Sequence, residues 1–139
     1  MDALKALIVD DEADFLETLI KRMKKRRLDV TGVTGAGQAL ALLAAEPFDV
    51  VVLDVRMPEM DGITLLQQIK ERYALTEVIM LTGHASMEVA VRGMELGAFD
   101  YLMKPVDIDE LIYKLQDAYQ KRLLQQQKIK EIESLKGGQ

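Results

Sequence analysis

Five side chains of this 139-residue chain could act on one another if the fold brought them together. They are Asp10 and Asp11 in "VDDE", Asp54 in "VVLDVRMPEMDG", Thr82 in "LTGHA" and Lys104 in "LMKP". Carboxylates held within a few ångströms repel, and each raises the other's pKa above the usual value of about 3.9. A divalent cation removes that repulsion. An oxygen-only donor set, with no histidine or cysteine in it, suits a hard cation such as Mg²⁺. A cation that keeps open positions also holds phosphate oxygens, with Lys104 as a point charge and Thr82 as a hydrogen-bond donor on the same phosphoryl group. Asp54, at the centre, is then the nucleophile and the product an aspartyl-phosphate. Such a transfer needs positioning and charge neutralisation rather than a general base.

The elements that must position these groups can be read from the pattern of apolar residues. "ALIV" (Ala6 to Val9) is a buried strand that ends on Asp10 and Asp11. A helix follows, with Phe15, Leu19 and Met23 on one face and Leu16 and Ile20 beside them. "DVTGV" (Asp29 to Val33) is a weaker strand closed by a Gly35-Ala36-Gly37 turn, and "QALALLAAE" is helical up to Pro47. "DVVVL" (Asp49 to Leu53) is continuously apolar, as a central strand covered on both faces should be. Pro58 and Gly62 turn the chain sharply, and a helix after Gly62 turns Leu65, Leu66 and Ile69 inward. "EVIML" (Glu77 to Leu81) leads to Thr82, and a helix from about Ser86 to Leu96 stops at Gly97. "FDYLM" (Phe99 to Met103) runs into Lys104-Pro105, and the last helix begins near Asp107.

Five strand-then-helix units predict an α/β fold, a doubly wound five-stranded parallel sheet with helices on both faces. Right-handed crossovers then put every strand's carboxyl end on one edge, where such sheets bind ligands. The acids, the threonine and the lysine all fall on that edge.

Composition agrees with one domain and a sizeable core: 49% hydrophobic and 29% charged residues. The net charge of −5 argues against direct nucleic-acid binding, and the absence of cysteine removes disulfides and thiolate metal sites. The start, "MDALKALIVDDE", has acids where a signal peptide has a basic region, and no stretch approaches the roughly 18 apolar residues of a membrane span. A cytoplasmic domain without membrane contact is expected. The basic run "KRMKKRR" (Lys21 to Arg27) reads as a solvated helix end, where cations favour the helix dipole.

The motifs "VDDE", "LDVRMPEMDG", "LTGHA" and "DYLMKP", in this order over about residues 4 to 120, resemble the receiver (CheY-like) domain of two-component response regulators. The resemblance implies the flavodoxin-like strand order 2-1-3-4-5. It implies that Asp54 accepts a phosphoryl group from a sensor histidine kinase or phosphotransfer protein. Asp10, Asp11, Asp54 and the backbone carbonyl of Arg56 would hold Mg²⁺, and Lys104 would contact the phosphoryl group. Thr82 and Tyr101 would be the switch pair, Arg56 and His84 would tune the phosphate's lifetime, and the Lys104-Pro105 bond would be cis. The domain is then a signalling switch rather than a metabolic enzyme, acting on a downstream output domain or target protein.

Two other readings use the same residues. A haloacid-dehalogenase-like phosphatase also forms an aspartyl-phosphate with Mg²⁺, but it needs a second acid where this chain has Arg56. A pseudo-receiver would bind partners without phosphate, and the presence of all five site residues speaks against it. Residues 1–120 are expected to form the receiver and 121–139 a helical extension or linker. In that tail Leu115, Ala118, Ile129 and Ile132 make a loose heptad stripe interrupted by Arg122 and Gln125. It reads as a frayed end, an arm for a homodimer, or a linker to a further domain, the last two being preferred.

Overall fold

The computed structural model describes residues 4–57, 60–83 and 87–137. Five strands and five helices alternate: β1 (Lys5–Val9), α1 (Ala13–Lys25), β2 (Asp29–Val33), α2 (Ala36–Ala45), β3 (Val50–Asp54), α3 (Gly62–Arg72), β4 (Glu77–Thr82), α4 (Met87–Glu95), β5 (Asp100–Met103) and α5 (Ile108–Gly137). The strands pair in parallel in the order β2-β1-β3-β4-β5. This is the doubly wound sheet and strand order expected from the sequence.

Side-chain alternation sorts the core into two layers. On one face Ala6, Ile8, Val50, Val52, Ile79 and Leu81 pack against Leu16, Leu19 and Met23 of α1 and Leu111, Leu115 and Ala118 of α5. On the other, Leu7, Val9, Val51, Leu53, Val78 and Met80 pack against α2 and α3 through Ala39, Leu43, Leu65, Leu66 and Ile69. A strand covered on both sides has no polar face, so β3 shows no alternation in its sequence.

Three local features differ from the sequence reading or sharpen it. The Gly35-Ala36-Gly37 stretch is not a separate turn: Gly35 is the N-cap of α2, and Ala36 and Gly37 are already helical. Ala36 is 2% exposed, so burial draws the helix start back into the glycines. Gly62 opens α3 because nothing larger fits; a Cβ there would lie 2.5 Å from the Val55 Cα and 2.6 Å from the Asp54 carbonyl oxygen. Asp61 caps that helix by accepting the Thr64 N–H at 2.8 Å. Gly97, at φ +103, closes α4 in the left-handed region, as its place in the sequence suggests. Pro58, the other proposed turn residue, lies outside the described residues.

α5 is one continuous helix, and the heptad stripe read across it divides in two. Leu115 and Ala118 are buried against the sheet, while Ile129 and Ile132 face solvent. Arg122, which breaks the stripe, has a different partner. Its Nε lies 3.0 Å from Asp49 Oδ1, and its Nη1 donates to Thr76 Oγ1 at 3.3 Å. Beside it Glu77, wholly buried, has Lys70 Nζ at 3.7 Å and Lys121 Nζ at 3.5 Å from its two oxygens. Burial lowers the Lys70 pKa despite the attraction of Glu77. The amino edge of the sheet therefore grips α5 at residues 121 and 122.

Two outcomes follow for packing. Gly62→Ala is expected to cost roughly 2–3 kcal/mol of unfolding free energy in a denaturant titration, because backbone rather than a side chain meets the new methyl. Arg122→Ala is expected to speed amide hydrogen exchange about tenfold at residues 121–126 while leaving the β3 and β4 amides protected. Unchanged exchange there would show that the helix holds without the Asp49 contact.

Candidate phosphoryl-acceptor site

Each predicted site residue except His84 can be placed. His84 lies outside the described residues. Asp10 directly follows β1 and is 0% exposed; its N–H donates to the Val33 carbonyl at 3.1 Å, which continues the sheet one residue beyond the strand. Asp54 is the last residue of β3, and Thr82 the last of β4; both are buried. Lys104 follows β5, where its N–H donates to the Thr82 carbonyl at 2.8 Å and its peptide with Pro105 is cis.

The two buried aspartates are held alike. Asp10 Oδ1 accepts the Glu12 N–H at 2.9 Å, and Asp54 Oδ1 accepts the Arg56 N–H at 3.0 Å. Each carboxylate thus spends one oxygen on the backbone two residues ahead and turns the other to Lys104. The Lys104 Nζ lies 2.8 Å from Asp10 Oδ2, 2.7 Å from Glu12 Oε1 and 3.4 Å from Asp54 Oδ2. The contact to Asp10 Oδ2 is close in distance but lacks hydrogen-bond directionality, so that buried oxygen is paired by charge alone.

The electrostatics follow from burial. Desolvation raises the Asp10 pKa above its ordinary value, although Lys104 and the Glu12 amide pull it down. Burial would lower Lys104, yet its contacts with Asp10 and Glu12 and the attraction of Asp54 outweigh it and hold the amine well above the usual lysine range.

Glu12 is the member of this cluster that sequence reasoning did not single out. It stands at the N-cap of α1 but makes no side-chain cap bond; its carboxylate goes to Lys104 instead. Oxygens of Asp10, Glu12 and Asp54 all lie within 4.8 Å of one another. The only signal for it was a third consecutive acid in "VDDE". Asp11 is exposed and outside that trio, but it lines the mouth of the site. A cavity of about 280 Å³ opens there among Asp11, Glu12, Asp54, Arg56, Gly83 and Lys104. The donors are oxygens only and one buried oxygen lacks a directed partner, which fits a hard cation.

Tyr101 is on the other face of the sheet. It is half-buried with the α2 and α3 layer, in register with Met80. By alternation from Val78 and Met80, Thr82 also falls on that face, so the threonine and the tyrosine share a side that the acids and Lys104 do not.

A family model described as the response regulator receiver domain matches residues 6–116. The chain belongs to the response regulator receiver family. This receiver is 41% identical over 111 residues to the response regulator protein PilR of Pseudomonas aeruginosa, covering 80% of this chain and 25% of that protein. It is 39% identical over 120 residues to the DNA-binding transcriptional regulator NtrC of Salmonella typhimurium, covering 86% of this chain and 26% of that one. Among solved structures it superposes on the receiver domain of the Francisella response regulator 1452 with a TM-score of 0.79 at 33% identity, covering 85% and 98% of the two chains. The chain spans about a quarter of the length of the curated relatives it matches. Phosphorylation and Mg²⁺ at an acidic site are general to receivers. Among the described residues no helix is long and apolar enough to cross a membrane.

Lys104→Met tests the electrostatic account of the receiver's site. An acid whose folded pKa lies above its unfolded value penalises the fold once both states are ionised, and the penalty vanishes as pH falls. Without Lys104 the Asp10 pKa rises further. The variant is expected to lose roughly 1–3 kcal/mol of stability at pH 7 and to converge on wild type as pH falls toward that of the free carboxyl group. A deficit independent of pH would contradict this.

Proposed function

We propose that this receiver is a phosphorylation-driven switch in which Asp54 accepts a phosphoryl group from a sensor histidine kinase or phosphotransfer protein. The observation that supports this best is the convergence of Asp10, Glu12, Asp54 and Lys104, from three separate regions of sequence, at the sheet's carboxyl edge, where all but the buried Asp10 line one cavity.

Mg²⁺ would be held by Asp10 and Asp54, with Asp11, Glu12 and the Arg56 carbonyl as further oxygens, and would neutralise charge on the transferring group. Asp54 Oδ1 is engaged by the Arg56 amide, so Oδ2 is the oxygen left to attack phosphorus. The new O–P bond forms as the donor's bond to phosphorus breaks, and that electron pair leaves with the donor. Lys104 moves its charge from the acids to a phosphoryl oxygen, and Thr82 donates a hydrogen bond to another. Hydrolysis by water reverses the modification; Arg56, exposed at the mouth, would set its lifetime together with His84, two residues after Thr82 in the sequence.

Drawing Thr82 toward the phosphoryl group leaves space on its side of the sheet, where Tyr101 can move inward. The output surface would be α4, β5 and α5, where Val91, Met94, Met103 and Tyr113 stand exposed by 50%, 43%, 47% and 66%. Such apolar area suits a protein partner, an output domain or a second copy of the chain. The domain would act in the cytoplasm, with residues beyond 120 leading to the output, and Asp54 chemistry would be confined to its own modification.

Intact-mass measurement after acetyl phosphate and Mg²⁺ tests the assignment. One added phosphoryl group is expected on the wild type and none on Asp54→Ala. Equal uptake by the two proteins would reject Asp54 as the acceptor.

A further inference from the structure

We propose that Phe15 is a positioning residue for Lys104, its ring face holding the ammonium beside Asp54 while the acids change partners. This rests on the phosphoryl-acceptor reading above.

The Lys104 Nζ sits 4.4 Å from the centroid of the Phe15 ring, within cation–π range. Phe15 lies on α1, three residues beyond Glu12, and residues at that spacing share a helix face. Glu12 and Phe15 therefore reach the same ammonium from one helical turn, the first as a charge and the second as a π face. Phe15 is half-buried and packed on the α1–α5 layer, which restrains the ring.

Lys104 needs such a partner. A lysine amine is a point charge on a flexible stem, and here only 14% of the side chain is exposed. Its other partners are carboxylates: Asp10, Glu12 and Asp54. All three belong to the trio that would serve a cation, so a bound cation competes with Lys104 for each of them. The ring carries no oxygen to be claimed. It is the contact that survives when the acids turn to metal, and it keeps the amine at the cavity ready for the incoming phosphoryl oxygen.

The bland alternative is that Phe15 only fills core volume, and leucine would do that as well. The full chain is therefore compared as wild type, Phe15→Leu and Phe15→Tyr. Phosphoryl uptake from acetyl phosphate at saturating Mg²⁺ is expected to slow roughly three- to tenfold in the leucine variant, with Mg²⁺ affinity and melting temperature unchanged. Tyrosine keeps the ring face and is expected to restore the rate. In NMR spectra of the wild type, the Lys104 ε-methylene protons are expected upfield from the ring current, and to lose that shift in Phe15→Leu. Equal rates in wild type and Phe15→Leu would overturn the proposal, as would a tyrosine variant as slow as leucine. Phosphoryl uptake by a wild type whose Lys104 shows no ring-current shift would also overturn it. A clear shift with no uptake at all would instead overturn the phosphoryl-acceptor reading, and the positioning role with it.

Discussion

One ammonium group facing three carboxylates at the end of a buried sheet is the constraint around which the rest is arranged. Two like charges about 4 Å apart repel by about 4 kcal/mol at the effective dielectric of a protein surface, and Asp10 has no solvent to screen it. Lys104 offsets that repulsion by lying between them, and the backbone N–H groups of Glu12 and Arg56 satisfy one oxygen of each aspartate. The same cluster is poised for change. A group that brings positive charge to the acids, or negative charge to the amine, finds Asp10, Asp54 and Lys104 already largely desolvated.

Parallel topology supplies the alignment. Every strand of the sheet points the same way, so residues that follow β1, β3 and β5 meet although they are far apart in sequence. Alternation then assigns sides. Asp10, Asp54 and Lys104 share the face under α1 and α5, which is why the first turn of α1 can bring Glu12 to them. Thr82 and Tyr101 fall on the α2, α3 and α4 side. The acid–lysine cluster and the Thr82–Tyr101 pair are thereby separated by the thickness of one sheet, with Thr82 at the very end of its strand.

The opposite edge of the sheet is also polar, but it is built for attachment. Arg122 with Asp49 and Thr76, and Lys121 with Lys70 around the buried Glu77, tie the middle of α5 to the strand starts. Past them every residue from Gln127 to Gly137 is exposed, including Ile129, Ile132 and Leu135. A helix so exposed gains little from its own propensity. Its grip on the sheet gives any movement of α5 a lever arm into the extension.

The sequence by itself determined the strand and helix order, the parallel class and the placement of Asp10, Asp54, Thr82 and Lys104 where the strands end. These are written in local terms: apolar runs of strand length, helical periodicity, and polar residues placed where the runs stop. Glu12 was not legible in that way, since a third acid beside two others is equally an N-cap. Nor was the start of α2 at Ala36, because glycine propensity argues for a turn and only burial overrules it. The division of the α5 stripe between Ala118 and Ile129 depends on where the sheet ends beneath the helix, a length set by other strands. Tertiary structure alone decided that Lys104 reaches Glu12 and Phe15, 92 and 89 positions away in the chain. A contact of that separation has no local signature; it exists only when the parallel crossovers bring two strand ends to one helix turn.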